Sequence, residues 1–240
     1  EWNKPVTELI GGRLLLTISL AVTVLFLTAA IAVPIGVYSS VNQYSIGDHV
    51  ATLFGFIGLA IPNVLLTLAL LYVSFVYFGV EPGGLFSRAY QDAPWSAARV
   101  LDMLSHLWIP IAVLTLAGTA EVIRVIRASM LDELSRPYVE TARAKGLSET
   151  RMIVKYPVRI ALSPIVSKLG WMIPIIISSE AIVSVIVDIP TTGPLLLRAL
   201  LAQDMYLAGA IILLLSFITV VGTLISDILL ALLDPRIRYA

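Results

Sequence analysis

Five long apolar stretches constrain the fold more than any other feature of this chain. A membrane-spanning helix needs about 20 mainly apolar residues, because each residue rises about 1.5 Å and the hydrocarbon core is about 30 Å thick. No stretch shows the sustained alternation of a β-strand. The sequence therefore predicts an all-α, polytopic transmembrane helical bundle forming one domain over residues 1–240. Its five spans cover approximately residues 14–38, 50–78, 107–130, 160–187 and 205–233.

Composition supports a lipid environment and excludes several kinds of chemistry. Apolar residues make up 58% of the 240 residues and charged residues 13%, which is too apolar for an ordinary soluble domain. The net charge is zero and Cys is absent, so we expect no nucleic-acid partner and no thiol chemistry. His49 and His106 lie in separate loops, which argues against a shared metal site.

The distribution of Lys and Arg predicts how the chain is oriented. These residues are retained on the cytoplasmic side of short loops. The connection after the third span is rich in them, and Arg236 and Arg238 follow the fifth span. We therefore place this connection and the C-terminus in the cytoplasm. The loops over residues 81–106 and 188–204 then lie outside.

The cytoplasmic connection, about residues 131–159, has the sequence signals of two short helices. Pro137 is suited to the first turn of a helix, and Gly146 is suited to the left-handed residue that ends one. Ser148 can then cap a second helix beginning at Glu149. On one face of the first helix, the three-and-four spacing places Tyr138, Thr141, Ala142 and Lys145. This face indicates either a docking surface or a solvated loop that merely joins two spans, and periodicity alone favours the second alternative.

Four segments, in the expected order, resemble ABC importer permeases of the dipeptide, oligopeptide and nickel type. The first and most specific is the EAA-like loop from Tyr138 to Leu147, with Pro164 following Gly146. The others are Arg124-Val-Ile-Arg-Ala-Ser-Met130, the pair Ile61-Pro62-Asn63 and Phe78-Gly79-Val-Glu-Pro82-Gly-Gly84, and Leu233-Asp-Pro-Arg-Ile-Arg-Tyr239. Members usually have one more span ahead of this region, so the chain is either truncated or belongs to a shorter subfamily.

This resemblance implies a bundle like that of type I ABC importers and a role for the polar loop. In such importers the EAA helix docks on a cytoplasmic ATPase, whose closure around ATP moves the spans. The residues expected to couple to the ATPase are Tyr138, Glu140, Thr141, Ala142, Arg143, Ala144, Lys145, Gly146 and Leu147. Glu140 is expected to pair with a basic group of the ATPase, and Ala142 to keep the contact close.

The expected partners are a second, homologous permease, two ATPase subunits, an extracytoplasmic solute-binding protein and the lipid bilayer of the bacterial inner membrane. The chain lacks the G-x-x-x-x-G-K-[ST] phosphate loop, so we expect no cofactor on it, with ATP and Mg²⁺ held by the ATPases. It is therefore predicted to be a transport subunit and not an enzyme. Peptides are the expected substrates, with nickel chelates and oligosaccharides as alternatives.

Ionisable residues within spans are costly and usually face a bundle interior or an aqueous cavity. Glu180, beside Ser179, is the best candidate for the translocation pathway, where it could contact the amino group of a peptide. Asp227 has a structural or a pathway role with equal weight. Glu121 is expected to pair with Arg124, three residues later. A self-contained secondary transporter or channel stays open as the competing class, but it would not need a docking loop.

Overall fold

The computed structural model describes residues 5–79 and 83–233, and every regular element among them is an α-helix. Four of the helices are each long and apolar enough to cross a membrane, and Ile46–Ala60 with Asn63–Phe78 meets the same criterion as a pair bent by 100°. The helices are α1 (Val6–Val41), α2 (Ile46–Ala60), α3 (Asn63–Phe78), α4 (Ala97–Leu134), α5 (Pro137–Ala144), α6 (Glu149–Lys155), α7 (Pro157–Ala161), α8 (Ser163–Val187), α9 (Thr192–Leu201) and α10 (Met205–Leu233).

Four predicted spans differ from the observed helices, and the fourth does so because it was predicted to begin at residue 160, within α7, whereas α8 begins at Ser163. The first and third spans were predicted to begin at residues 14 and 107, but α1 already starts at Val6 and α4 at Ala97. The start of α4 contains polar residues such as Asp102 and His106, which lower its hydropathy below that of a membrane span, although the helix runs through them. The second predicted span is interrupted at Ile61–Pro62, since proline removes a backbone donor and disfavours helix at the preceding residue.

The connection over residues 188–204 is not a plain loop. It contains α9, whose Thr192, Gly193, Leu195 and Ala199 are buried. The helix begins after Thr191 in extended conformation and has Pro194 in its first turn, where a missing N–H costs nothing. A search for membrane spans overlooks α9, because its ten residues are too few to cross a membrane.

The described residues cluster into two compact units. The first draws on Glu1–Phe26, Ile61–Leu116 and Ile173–Ile218. Its core holds Val24, Ile109, Val113 and Val183, with a second cluster around Leu195 and Ile211.

The second unit draws on Leu27–Ala60, Ala117–Met172 and Thr219–Ala240. Its core includes Ala32, Ile126 and Met130. Close approach within this unit depends on Gly36, where an added Cβ would lie 2.9 Å from the Ile126 side chain. The polar connection after α4 belongs to this second unit.

Candidate functional site

The polar connection after α4 contains the two short helices that the sequence predicts, α5 and α6, and a third, α7, follows them. Pro137 occupies the first position of α5, and Arg136 precedes it in extended conformation. The helix is tied back to α4 by Tyr138, whose hydroxyl donates to a Glu133 carboxylate oxygen at 2.7 Å. Burial, together with this bond, raises the pKa of the Tyr138 phenol. Tyr138 therefore remains a neutral donor and anchors α5 to the end of α4.

A small core of its own holds the two short helices together. Val139, Ala142 and Met152 are buried against one another, and Tyr138 and Tyr156 pack at the edge of this cluster. The expectation that Ala142 faces a partner protein is therefore wrong for this structure, because its methyl group points inward at 7% exposure. The small side chain instead allows α5 to lie close to α6.

Gly146 ends α5 through a left-handed turn. Its φ is +78°, a region that most L-residues avoid. The Gly146 N–H donates to Arg143 O at 2.9 Å and the Leu147 N–H donates to Ala142 O at 3.3 Å. This pair of bonds is the Schellman arrangement, which satisfies carbonyls left open at a helix end. The sequence prediction for Gly146 matches this geometry.

The outer face of α5 is polar and open. Glu140, Thr141, Ala144 and Lys145 are exposed, and among the described residues no hydrogen bond or ion pair engages the side chains of Glu140 and Lys145. Arg143 differs, because its guanidinium contacts Glu149 at 2.6 and 3.3 Å and links α5 to the start of α6. That bond raises the pKa of Arg143.

Helix α6 begins at Glu149 after Ser148, as expected, although the Ser148 hydroxyl makes no capping hydrogen bond.

A buried ion pair that sequence reasoning missed lies in the same unit. The Arg127 guanidinium donates to both carboxylate oxygens of Asp48 at 2.9 Å. Asp48 also accepts from the Ser39 hydroxyl and, at 2.9 Å, from the Tyr44 N–H. Four bonds thus converge on a carboxylate that is 3% exposed. The basic Arg124-to-Met130 stretch was the only sequence signal, and nothing in it identifies Asp48, 79 residues away, as the partner.

Glu180 is fully buried within α8 and does not face open space. One carboxylate oxygen accepts from the Ser184 hydroxyl, and the other has no partner within the described chain. Next to this position, Gly193 of α9 packs tightly on Ala181, so the surroundings are closed. Ser179 is half-buried. The Glu180 carboxylate is therefore not accessible to a peptide in this structure.

Asp227 and Glu121, the other two ionisable residues within predicted spans, lie at the surface of the second unit. Asp227 is exposed on α10, whereas the adjacent Ser226 hydroxyl donates inward to Val166 O. Glu121 is also exposed, and its carboxylate lies 3.8 Å from the Lys168 ammonium. The predicted pair with Arg124 is wrong, because α8 brings a lysine to Glu121 that helical spacing within α4 could not reveal.

Comparison with known proteins gives this geometry a context. Residues 32–239 match the family described as binding-protein-dependent transport system inner membrane component. Over 237 residues, 99% of this chain and 73% of the relative, the chain is 37% identical to the oligopeptide transport system permease protein AppB of Bacillus subtilis. The oligopeptide permease protein OppB of Haemophilus influenzae is 29% identical over the same shares.

Solved structures agree on the fold. A chain of the MetNI methionine ABC transporter in an inward-facing conformation superposes with a TM-score of 0.72 at 15% identity. The alignment covers 97% of this chain and 99% of the other. An amino acid ABC transporter solved with histidines gives a TM-score of 0.59 at 21% identity, over 96% and 94% of the two chains. The helical bundle predicted from the sequence is thus the fold of an ABC importer permease.

Proposed function

The chain belongs to the family of binding-protein-dependent transport system inner membrane components, and from this premise we propose that it forms half of a peptide translocation pathway in the bacterial inner membrane, driven by ATPase subunits that dock on α5. The relatives named for oligopeptide transport support the substrate class. The observation that carries the docking role is the exposed polar face of α5, which directly follows α4 and packs with α6 through a small hydrophobic cluster.

The geometry suggests how docking would transmit movement. Interfaces and packed cores shift as rigid units. The bond from Tyr138 to Glu133 and the cluster of Val139, Ala142 and Met152 make α5 and α6 one such unit. Displacement of α5 by an ATPase would therefore move the end of α4. Glu140 and Lys145 supply charges of both signs for the contact.

In the complete importer this chain would pair with a second, homologous permease, and two ATPase subunits would hold ATP and Mg²⁺. A solute-binding protein would deliver peptide from the opposite side. We place α5 and the C-terminus in the cytoplasm on the basis of the Lys and Arg distribution; Arg236 and Arg238 themselves lie outside the described residues.

The docking role is tested at Gly146 with Gly79 as a matched control. Both glycines have positive φ, +78° and +62°, and neither has a neighbour within 4 Å of an added Cβ. Replacement by Asp imposes the same backbone strain, of about 1–2 kcal/mol, at each position. Only Gly146 adjoins the proposed docking helix.

We expect Gly146→Asp to reach the membrane but to lose the co-purifying ATPase subunits and the stimulation of ATP hydrolysis by peptide-loaded binding protein. Gly79→Asp should retain both. Normal stimulation in Gly146→Asp, or an equal loss in the two variants, would overturn the docking role. A ligand screen on the binding protein with peptides, nickel chelates and oligosaccharides tests the substrate class separately.

A further inference from the structure

Two adjoining cavities lie in the first unit, at the start of α1 and α4. One is an apolar groove of about 630 Å³, lined by residues such as Leu9, Leu16, Leu104 and Ile111. The other is a polar pocket of about 320 Å³ that contains Arg13, Gln91, Asp188 and Arg198. Both cavities are lined by Arg13, Leu85, Phe86 and Pro190, so the groove and the pocket lie side by side.

The polar pocket has an unsatisfied positive charge. Arg13 and Arg198 line the same pocket, where their positive charges repel one another. No ion pair or hydrogen bond joins either side chain to another described residue. Asp188 lines the same pocket, and Glu8 lies at the end of the groove, where it has an interaction of its own. Two arginines that line one pocket are suited to a phosphate group, which accepts hydrogen bonds from both.

The apolar groove has the length of a lipid chain. Its lining on α1 extends from Leu9 to Thr23, about 21 Å at the rise of an α-helix. Half of a bilayer's hydrocarbon core is about 15 Å thick. Leu15 and Leu104 are exposed along the groove, at 69% and 49%, so its wall is open to the surroundings of the two spans.

The mouth of the groove is aromatic and rigid. Phe86 and Trp95 pack edge to face with ring centroids 6.1 Å apart, and the Arg99 guanidinium lies 4.5 and 4.7 Å from the two centroids. Arg99 also donates to Gln91 O at 2.9 Å. Aromatic side chains of this kind are enriched at the level of lipid headgroups. The mouth thus matches the depth at which a phosphate would sit.

We propose that this composite site binds a membrane phospholipid, with its phosphate between Arg13 and Arg198 and one acyl chain in the groove. The Asp188 carboxylate, on the same pocket, accepts from the ammonium of phosphatidylethanolamine or from the hydroxyls of phosphatidylglycerol. The bound lipid fills apolar surface that the described chain leaves open between α1 and α4. This binding is separate from peptide transport and does not depend on it.

Two adjacent glycines allow the groove to be blocked with a matched control. Gly12 lines the groove and Gly11 does not, and an added Cβ meets nothing within 4 Å at either position. Leucine is a better helix former than glycine, so neither Gly12→Leu nor Gly11→Leu should weaken α1. Arg151→Gln, at an exposed position on α6, controls for loss of a positive charge.

Native mass spectrometry of the purified permease complex provides the measurement. Dioleoyl phosphatidylethanolamine and phosphatidylglycerol are added in separate experiments, beside dioleoylglycerol, which lacks phosphate, and glycerol 1-phosphate, which lacks chains. We expect retained adducts of the two phospholipids alone. The Arg13→Gln/Arg198→Gln variant should lose roughly 20- to 30-fold in adduct formation, because an arginine near a membrane surface contributes about fivefold to lipid attraction. Gly12→Leu should lose adducts as well, whereas Gly11→Leu and Arg151→Gln retain them.

Four results would overturn the assignment. Equal retention of dioleoylglycerol would remove the role of the phosphate, and equal retention of glycerol 1-phosphate would remove that of the groove. Unchanged adducts in Arg13→Gln/Arg198→Gln would place the lipid elsewhere. If Gly12→Leu instead separates the two permeases and leaves the lipid adducts unchanged, the groove is a contact between protein subunits.

Discussion

Removal of Arg127 should destabilise the protein more than removal of both members of its ion pair. The Asp48 carboxylate is 3% exposed and receives two guanidinium bonds of 2.9 Å. In Arg127→Met the carboxylate keeps only the Ser39 hydroxyl and the Tyr44 N–H. An uncompensated charge of this kind costs about 3–5 kcal/mol.

The two partners are not equivalent, since the Arg127 side chain is 28% exposed and that of Asp48 4%. In Asp48→Asn the guanidinium can turn toward water, so the cost is that of weakened charged hydrogen bonds, about 1.5–3 kcal/mol. In Asp48→Asn/Arg127→Met no charge remains buried, and an ion pair replaced by neutral groups is often close to neutral in stability. We therefore expect the double variant to be more stable than Arg127→Met by about 3–5 kcal/mol, the cost of the uncompensated charge.

Thermal unfolding of the purified complex in detergent measures the difference. For a chain of this size 1 kcal/mol shifts the Tm by about 2–4 °C, so Arg127→Met should unfold about 6–20 °C lower than the native chain. Arg151→Met, at an exposed position, is the control for loss of a positive charge and should change little. Equal Tm values for Arg127→Met and the double variant would refute the reasoning.

Two further predictions concern α8 and α9. Gly193→Ala should lower the free energy of unfolding by about 1–3 kcal/mol, because the new methyl would lie 2.3 Å from the Ala181 Cβ and 2.4 Å from its Cα. The control Gly209→Ala, in open space on α10, should be neutral or stabilising. Equal Tm values for the two variants would contradict the close contact between Gly193 and Ala181. Glu180→Gln should assemble and unfold at the same Tm as the native chain, since the amide oxygen can still accept from the Ser184 hydroxyl.

Glu180→Leu should lower the free energy of unfolding by about 1–3 kcal/mol, because the Ser184 hydroxyl loses its acceptor. A lower Tm for Glu180→Gln than for Glu180→Leu would exclude the buried hydrogen bond.

The polar connection after α4 was largely predictable because its signals are local. Proline in a first turn and glycine at a left-handed stop act through the backbone of a few residues, so the start of α5 at Pro137 and its end before Gly146 follow from sequence. Ala142 was assigned to the wrong side. Helical spacing groups Ala142 with Thr141 and Lys145, but only packing against Met152 decides that Ala142 points inward while the other two remain exposed.

Sequence alone also failed to predict α9 and the interruption at Pro62. Hydropathy over a long window identifies whole spans, and it overlooks a buried helix of ten residues. A proline inside an apolar run is compatible with either a kink or an end, and here α2 ends at Ala60.

Hydropathy and turn chemistry are properties of short segments, so the sequence alone predicts a bundle of membrane helices joined by a polar connection that contains two short helices. Tertiary structure alone decided which polar groups meet. Asp48 pairs with Arg127 across 79 residues, and Thr17 bonds Thr192 across 175 at 3.0 Å. Such contacts depend on how the helices are placed, and one helix's periodicity contains no information about the face that another helix presents to it.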